Sequence, residues 1–371
     1  ELALLRVAFQ VRKHTNRLRS VRAVLDIFDS TDTHCFSESF PLSISSGEDL
    51  SQQFTAELSR PALWSPDSPS LYRARLTIRE DERVLDLAEE RFGIRTLQLY
   101  AQHGLRLNGQ TIKLRGACIH HDLGILGAAD FEQAEERRIR QLKEAGFNCI
   151  RSAHNPAGPR LLEVCDRMGM LVMDEAFDMW THTKCDNDYA NVFPQWWKED
   201  LQSMVEKDYN HPCVILYSIG NEIDEAGTPA GARLNRKLAG YVRSLDQSRF
   251  LTNSVNGMIV LMDQLEQIIP EILVQLEDAD KSGSNDLNNI VSLCAGKSGD
   301  LLFGHPLIAE RTEETYAALD VAGMNYMTVR YEADHERFPH RVMLSTESFP
   351  GDLVRIWEKV KALPYVIGDM T

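Results

Sequence analysis

The sequence predicts an α/β protein in which a β-sandwich precedes a parallel (β/α)8 TIM barrel. Two observations carry this prediction. Residues 1–97 contain short runs in which apolar and polar residues alternate, whereas residues 98–371 alternate β-rich runs with helical segments. The first pattern is typical of half-buried antiparallel strands, and the second of βα units around a parallel sheet. A chain of 371 residues has room for one large and one smaller domain.

The first region alternates with a period of two. Leu5, Val7 and Phe9 alternate with other residues, and the same pattern recurs at 21–27 and 72–78. Such alternation places one face of each strand in a core and the other in water. Clusters such as SISSGED and WSPDSPS separate the runs and indicate turns. Several short strands divided by such turns predict a sandwich.

Eight β-rich runs follow in the second region. They are TIKLRGACI (111–119), FNCIRSA (147–153), MLVMDEA (170–176), VILYSIG (214–220), RFLTNSV (249–255), DVAGMNY (320–326), VMLSTES (342–348) and PYVIGDM (364–370). Amphipathic stretches between them, including 131–145 and 158–168, predict crossover helices. Eight strands with helical crossovers favour a barrel over the alternative, a doubly wound sheet.

Two features refine the second region. In the stretch 131–145, Phe131 and Ile139 fall near helical spacing, and Gly146 follows as a stop signal. The segment at about 257–310 is too long for a simple crossover, with a helical portion and then a polar one, DKSGSNDLNN. We expect this segment to be an insertion over one rim of the barrel.

The composition excludes some classes of partner. A formal charge of −15 at pH 7 argues against a nucleic acid, whose phosphates an acidic surface would repel. No apolar stretch approaches the roughly 20 residues needed to cross a bilayer. The seven cysteines are scattered and include no CxxC pair, which indicates reduced thiols rather than disulfides or a zinc site. We therefore expect a cytoplasmic protein with no nucleic-acid or membrane partner.

Two glutamates stand at the ends of predicted barrel strands, where the chemistry of such barrels is located. Glu222 ends the fourth predicted strand in SIGNE, and Glu347 ends the seventh in LSTES. Two carboxylates converging on one pocket are what glycoside hydrolysis needs, one as proton donor and the other as nucleophile or base. A glutamate in an acidic protein is more often a helix cap or half of an ion pair, and spacing alone leaves that interpretation open.

The motifs together resemble glycoside hydrolase family 2, the family of β-galactosidases, β-glucuronidases and β-mannosidases. LWSPDSPSLYRARLTI (63–78) resembles the end of the family's immunoglobulin-like domain, and RFGIRT (91–96) resembles its junction with the barrel. LNGQTIKLRGACIHHD resembles the first barrel strand, GFNCIRSAHNPAGPRLLEVCDRMGMLVMDEAFDMW the second and third, and SIGNE the acid/base motif. The resemblance implies an immunoglobulin-like β-sandwich domain at 1–97 and a catalytic barrel at 98–371.

The resemblance also implies a retaining mechanism, with Glu222 as acid/base and Glu347 as nucleophile. Glu347 would attack the anomeric carbon while Glu222 protonates the leaving oxygen, and Glu222 would then deprotonate water. The mechanism needs carboxyl groups about 5–5.5 Å apart, a protonated Glu222 and an ionised Glu347. Asn221 would hydrogen-bond the sugar 2-hydroxyl, a bond that strengthens in the transition state.

Five further residues have supporting roles by the same resemblance. Arg151 would keep the nucleophile charged, since an adjacent cation favours an ionised carboxylate; a salt bridge at the barrel rim is the alternative. His154 in SAHNP and His120 in CIHHD match residues that bind sugar hydroxyls. His121 is a weaker match, because the family pattern uses the first histidine of the pair. Tyr326 in GMNY matches the tyrosine that hydrogen-bonds the nucleophile.

Asp178 and Trp180 follow the third predicted strand in DEAFDMW. Trp180 could stack on a sugar face or belong to the core. Some family β-galactosidases bind magnesium through a Glu and a His shortly after this strand, and FDMWT offers neither residue there. The adjacent His120, His121 and Asp122 would point in alternating directions on a strand end. We therefore expect no metal site, and the resemblance implies no other cofactor.

The resemblance leaves the sugar open. A β-galactoside is favoured, since the Asn-x-Lys signature of β-glucuronidases is not evident after Tyr326. β-Glucuronidase, β-mannosidase and a non-catalytic carbohydrate-binding protein on a degenerate barrel remain alternatives. The chain begins at the sandwich, without the family's usual jelly-roll domain, and ends in the eighth predicted strand. We therefore expect a fragment, truncated in strand eight, of a larger enzyme that is homo-oligomeric like many family members.

Overall fold

The computed structural model describes residues 2–12, 19–44, 49–275 and 296–371. The chain divides into two compact units. The first contains the chain up to Arg95 together with Asp166–Gly169 and Asn210–Pro212, and the second contains the rest. In the described part, each helix is too short or too polar to cross a bilayer.

The first unit is built from antiparallel strands. They are β1 (Leu2–Arg12), β2 (Arg19–Phe28), β3 (His34–Ile44), β4 (Asp49–Ser59), β5 (Tyr72–Glu80) and β6 (Arg83–Phe92). β1 and β4 form one sheet, and the others form a second sheet in the order β3-β2-β5-β6. Val21 and Ala23 of β2 pack with Leu42 of β3 and against Phe9 of β1, so the two sheets share a core. The predicted β-sandwich is therefore confirmed.

The second unit contains a closed parallel barrel. A small antiparallel sheet comes first, made of β7 (Leu97–Tyr100), β8 (Gly104–Leu107) and β9 (Gln110–Ile112). The barrel strands follow in chain order as β10 (Leu114–Ile119), β11 (Cys149–Ser152), β12 (Leu171–Glu175), β13 (Val214–Asn221), β14 (Phe250–Asn256), β15 (Val321–Asn325), β16 (Val342–Glu347) and β17 (Val366–Met370). Each of the eight predicted runs overlaps one of these strands, with β13 and β14 extending one residue further, which confirms the barrel and excludes the doubly wound sheet.

Two glycines allow the barrel to close between β17 and β10. Leu114 pairs with Gly368, and Gly116 pairs with Met370. A Cβ on Gly368 would lie 2.4 Å from the Leu114 carbonyl oxygen, and a Cβ on Gly116 would lie 1.8 Å from the Met370 sulfur. The contact at Gly368 is with backbone and requires a residue without a Cβ, whereas at Gly116 the Met370 side chain would have to move.

Helices surround the barrel strands. They are α1 (Glu132–Glu144), α2 (Pro159–Met168), α3 (Phe193–Asp208), α4 (Pro229–Leu245), α5 (Leu265–Gln275), α6 (Gly296–Phe303), α7 (Pro306–Ala317), α8 (Tyr331–Arg337) and α9 (Leu353–Ala362). α1 and α2 lie inside the stretches predicted as helical, and Gly146 follows α1 with a φ of +94°. Phe131 departs from the prediction, because it precedes the helix and is 54% exposed, whereas Ile139 is buried as expected.

The segment predicted as an insertion contains α5 and α6, preceded by a 3-10 helix over Ile259–Gln264. Its polar portion, 280–289, lies outside the described residues. α7 packs against α4, where the Asn235 side chain donates a hydrogen bond to the Thr315 carbonyl at 3.0 Å. Helix α7 therefore belongs to the helical ring of the barrel rather than to the insertion.

Candidate active site

Six consecutive barrel strands deliver polar side chains to one rim. These side chains are Arg151 on β11, Glu175 on β12, Asn221 and Glu222 at the end of β13, Asn256 on β14, Asn325 and Tyr326 at the end of β15, and Glu347 on β16. Because the strands are parallel, their carboxyl ends meet at this rim. Each of these strands begins with apolar residues buried in the barrel, and those residues anchor the polar strand ends.

Arg151 lies at the centre of the site and is completely buried. Its Nη2 donates to Glu175 Oε2 at 2.9 Å and to Asn221 Oδ1 at 2.7 Å, and its Nη1 donates to Glu347 Oε2 at 3.0 Å. Burial disfavours the charged guanidinium, but the charges of Glu175 and Glu347 outweigh it and raise the pKa of Arg151. Arg151 is therefore a buried cation bonded to two carboxylates. It does not form the exposed salt bridge at the barrel rim that the sequence left as the alternative.

Glu175 is a buried counterion for Arg151. Its Oε1 accepts from His154 Nδ1 at 2.8 Å, and its Oε2 accepts from the hydroxyls of Ser218 and Ser254 at 2.8 and 2.9 Å. Burial would raise the pKa of Glu175, but the charge of Arg151 and these hydrogen bonds outweigh it and hold the pKa below its usual value. Arg151 and Glu175 therefore form an ionised pair inside the barrel.

Glu222 and Glu347 approach each other above this pair, and both remain partly exposed. A single nitrogen, Asn325 Nδ2, lies 3.1 Å from Glu222 Oε1 and 3.3 Å from Glu347 Oε2. These two oxygens can therefore be no further apart than the sum of the two distances. The structure thus brings together the two carboxylates that the sequence singled out.

Tyr326 holds the other oxygen of Glu347, since its hydroxyl donates to Glu347 Oε1. Burial, the hydrogen bond to Glu347 and the negative charges of Glu347 and Glu222 all raise the pKa of Tyr326. The phenol therefore stays protonated and remains a donor. Phe349 stacks on the Tyr326 ring, with centroids 4.5 Å apart, and fixes the ring plane.

Glu222 and Tyr326 both have a left-handed backbone, with φ values of +49° and +63°. Such φ values are uncommon for residues other than glycine and cost about 1–3 kcal/mol each. Two backbone hydrogen bonds hold them, from Glu222 N to Ser254 O at 2.7 Å and from Tyr326 N to Glu347 O at 2.8 Å. Each hydrogen bond links one strand end to the neighbouring strand, so that the side chain of Glu222 or Tyr326 is directed toward the pocket.

Asp178 forms a polar cluster beside Glu222 with Asn221 and Lys184. Asn221 Nδ2 donates to Asp178 Oδ1 at 2.8 Å. Lys184 Nζ donates to the same carboxylate oxygen at 2.7 Å and to the Asn221 carbonyl at 2.9 Å. Asp178, a predicted site residue, therefore orients Asn221 and neutralises a lysine.

The three predicted histidines separate into two environments. His154 packs edge-on against His120, with ring centroids 5.0 Å apart, and bonds Glu175 through Nδ1. When Nδ1 donates to that carboxylate, Nε2 is left as an acceptor. His121 is exposed and turns away, because its Nε2 bonds the Pro156 carbonyl at 3.0 Å. The structure thus brings His154 and His120 together and leaves His121 apart.

Trp180 is a core residue, which is the second of the two alternatives that the sequence left open. Its side chain is 0% exposed, and its indole nitrogen donates to the Ile219 carbonyl at 2.9 Å. An indole without an exposed face cannot contact a ligand. Trp180 instead supports β13 just before Asn221 and Glu222.

Sequence reasoning missed three side chains of the site, namely Glu175, Asn256 and Asn325. A glutamate inside the apolar run MLVMDEA was a usable signal, because a buried carboxylate needs a buried cation. Asn325 precedes Tyr326 at a strand end, just as Asn221 precedes Glu222. Asn256 gave no comparable signal, since it ends a strand rich in Ser, Thr and Asn.

Two family models match successive parts of this chain. The profile described as "Glycosyl hydrolases family 2, TIM barrel domain" matches residues 100–295, and that described as "Glycosyl hydrolases family 2" matches residues 2–95. Beta-galactosidase BoGH2A of Bacteroides ovatus is 35% identical over 322 residues, which make up 84% of this chain and 35% of that protein. A beta-galactosidase of Vibrio cholerae is 39% identical over 166 residues, or 44% of this chain and 16% of that protein.

Solved structures give the same fold. A glycosyl hydrolase family 2 member from Bacteroides cellulosilyticus matches all of this chain with a TM-score of 0.82 at 35% identity, over 41% of its own length. Bacteroides uniformis beta-glucuronidase 2, solved covalently bound to cyclophellitol-6-carboxylate aziridine, gives a TM-score of 0.74 at 21% identity, over 100% of this chain and 44% of its own length. The second likeness shows the fold alone. The chain spans 35% or less of the two curated relatives. It belongs to glycoside hydrolase family 2, as its motifs predict.

Proposed function

We propose that this chain carries the catalytic centre of a retaining exo-β-glycosidase, with Glu347 as nucleophile and Glu222 as general acid/base, acting first on terminal β-galactosides. The observation that carries the proposal is the carboxylate pair bridged by Asn325 Nδ2 at 3.1 and 3.3 Å. The shared nitrogen limits the separation of the two bridged oxygens to the sum of these distances, which accommodates the roughly 5–5.5 Å of a retaining pair.

In the first step, Glu347 attacks the anomeric carbon while Glu222 gives a proton to the leaving oxygen. Arg151 and Asn325 hold Glu347 Oε2, and the Tyr326 hydroxyl holds Oε1. The guanidinium places a positive charge beside the carboxylate that attacks. Fixing both oxygens removes orientational freedom before the substrate arrives, which is the main service a positioned nucleophile receives.

In the second step, Glu222 takes a proton from water, and the water attacks the glycosyl ester of Glu347 from the face that the leaving group vacated. Two displacements at one carbon return the original configuration. Asn221 binds the sugar. One N–H of the Asn221 amide donates to Asp178, and the other is left to donate to a sugar hydroxyl. His154 Nε2 offers an acceptor for a second hydroxyl.

The cluster around Lys184 favours a neutral sugar over a glucuronide. A sugar carboxylate would need an unpaired cation, and Lys184 is already 2.7 Å from Asp178. A substrate anion binding there would displace or repel Asp178, and with it the support of Asn221. The two relatives given above are both named beta-galactosidases, which supports the galactoside, whereas a Formosa agariphila relative, 36% identical over 54% of this chain, is named a putative beta-glucuronidase, which makes the glucuronide the second substrate to test.

The test is hydrolysis of matched aryl β-galactoside, β-glucuronide and β-mannoside by the full-length protein. We expect the galactoside to be preferred. Glu347→Gln should abolish turnover of every substrate, because no other carboxylate replaces the nucleophile. Glu222→Ala should lower kcat/KM by about 10²–10⁴ for alkyl glycosides and much less for dinitrophenyl glycosides, whose leaving group needs no proton.

The outcomes separate the alternatives. Preference for the mannoside or glucuronide, abolished in Glu347→Gln, keeps the mechanism and replaces the sugar. Binding of a glycoside without turnover of any of the three contradicts the enzyme proposal and favours a carbohydrate-binding protein on the same barrel. Proton NMR of the first-formed product checks retention, because an inverting enzyme would release the α-anomer.

A further inference from the structure

The two oxygens of Glu222 have different surroundings. Oε1 accepts from Asn256 Nδ2 at 2.7 Å and from Asn325 Nδ2 at 3.1 Å. Oε2 makes no hydrogen bond with the part of the chain that the structure describes. Both asparagines are buried, at 4% and 0% exposure, so water does not compete for their amides.

The partners of each asparagine carbonyl fix the direction of its amide. Asn256 Oδ1 accepts a hydrogen bond from the backbone N–H of Met258 at 2.9 Å. The amide nitrogen of Asn256 could not take the place of Oδ1, because it cannot accept a hydrogen bond. Asn325 Oδ1 accepts from the Thr346 hydroxyl at 2.7 Å, and its Nδ2 faces only acceptors, namely oxygens of Asn221, Glu222 and Glu347. In both cases the nitrogen is the atom that faces Glu222. Oε1 therefore receives two N–H donors.

We propose that Asn256 is a positioning residue that reserves Glu222 Oε1 as an acceptor, so that Oε2 is the atom that gives the proton to the leaving oxygen and takes it from water. This proposal rests on the proposed function. A carboxyl oxygen has two in-plane lone pairs, and the two amide nitrogens of Asn256 and Asn325 occupy both on Oε1. A proton on Oε1 would displace one of these donors and leave a buried N–H unpaired.

The arrangement serves both halves of the reaction. While Glu222 is protonated, the proton is on Oε2, the oxygen that accepts no hydrogen bond from the described part of the chain. After transfer, the new negative charge is met by two hydrogen bonds that are already in place, which a preorganised site provides without reorganisation. Asn325 also touches Glu347, whereas Asn256 contacts only Glu222 of the two carboxylates, so Asn256 is the residue that isolates the effect.

The informative substitution is Asn256→Asp. The aspartate keeps an oxygen for the Met258 N–H and exchanges only the donor that faces Glu222. Two carboxylate oxygens about 2.7 Å apart cannot both be ionised, so the pair holds a shared proton at Oε1 and Oε2 loses it. We expect kcat/KM to fall about 100-fold or more for an alkyl glycoside and by only a few-fold for the dinitrophenyl glycoside of the same sugar.

Asn256→Ala is the second variant, and it keeps the proposal testable where Asn256→Asp fails to fold. It removes one of two donors to Oε1, and we expect about a 10-fold fall for the alkyl glycoside with little change for the dinitrophenyl glycoside. Asn253→Ala is the matched control. Asn253 is a buried asparagine of the same strand, but its amide donates to Asn235 at 3.0 Å. Asn253→Ala should leave the ratio between the two substrates unchanged.

Glu347→Gln is measured alongside, so that two kinds of failure are distinguished. Turnover by Glu347→Gln at the wild-type rate would overturn the proposed function, and the role of Asn256 with it. Inactive Glu347→Gln combined with equal losses on both substrates in the Asn256 variants would overturn the positioning role alone. The same would follow if Asn253→Ala changed the substrate ratio as much as Asn256→Ala.

Discussion

Replacing Arg151 by methionine removes the charge at the centre of the site and preserves most of the side-chain length. The guanidinium donates to Glu175, Glu347, Asn221 and the Thr346 carbonyl, and Arg151 is fully buried. The variant leaves the Glu175 carboxylate without its counterion in a place where water does not reach it. We expect both stability and activity to fall.

The size of the stability loss follows from the burial of both partners. Arg151 and Glu175 are each 0% exposed in a bridge of 2.9 Å, so solvent screening does not weaken the pair. Removing one partner of such a pair costs about 3–5 kcal/mol, because an uncompensated charge remains buried. For a domain of this size, that corresponds to a fall of roughly 6–10 °C in Tm. Hydrogen bonds from His154, Ser218 and Ser254 to Glu175 limit the loss to this range.

The loss should depend on pH with a defined sign. In the wild type the pKa of Glu175 is depressed, so its ion pair contributes stability above the unfolded-state value of about 4.3, and that contribution is lost as pH falls through the folded-state pKa. In Arg151→Met, burial is no longer opposed by the guanidinium, and we expect the pKa of Glu175 to rise above 4.3. The difference in Tm should therefore be largest near pH 7 and narrow toward pH 5.

A second substitution separates the structural from the catalytic role of Arg151. Glu175→Gln added to Arg151→Met removes the orphaned charge and should restore most of the Tm, because a neutral amide costs less to bury. Activity should not return, because Glu347 still lacks its cation. Thermal unfolding at pH 7 and pH 5, with kcat/KM beside it, tests both. A fall of less than about 2 °C for Arg151→Met at pH 7 would refute the buried-pair argument.

Three further predictions concern single side chains. Tyr326→Phe removes one hydrogen bond to Glu347 and should lower kcat/KM by about 10–100-fold with an unchanged Tm. An unchanged kcat/KM, or a loss of activity explained by a lowered Tm, would contradict this. Gly368→Ala places a Cβ 2.4 Å from the Leu114 carbonyl and should destabilise the barrel by about 1–3 kcal/mol or more in urea unfolding. Trp180→Phe should lower the Tm and leave KM unchanged, whereas a tryptophan that stacks on the sugar would change KM.

The sequence allowed the fold to be predicted because periodicity reports burial directly. Each barrel strand is a short apolar run, and each run carries its own signal whatever its partners are. The proposed catalytic pair could be identified for the same reason, since Glu222 and Glu347 end such runs. The C-terminal boundary of the insertion was harder to predict from the sequence. It depends on which helix packs against α4, and that helix is α7.

The support around the pair was harder to predict, because it consists of contacts between distant residues. Asn256 and Asn325 meet at Glu222 only through barrel closure, and the sequence does not contain that geometry. The left-handed backbone at Glu222 was equally hidden, since nothing distinguishes its sequence neighbours from those of an ordinary strand end. Trp180 shows a different limit, because the motif was compatible with both a ligand contact and core packing, and only the packed structure places the residue in the core.

The double partnership of Arg151 has a consequence for the proposed reaction. Two carboxylates share this guanidinium, and Glu347 gives up its negative charge when it becomes a glycosyl ester. A cation bonded to Glu347 alone would then be buried without a counterion, at a cost of several kcal/mol. Glu175 has no part in the proposed displacements, so its bonds of 2.9 Å to Arg151 are not consumed by them. The buried glutamate thus keeps the charge of the barrel balanced, so that the free energy gained by neutralising the nucleophile is not lost again at the arginine.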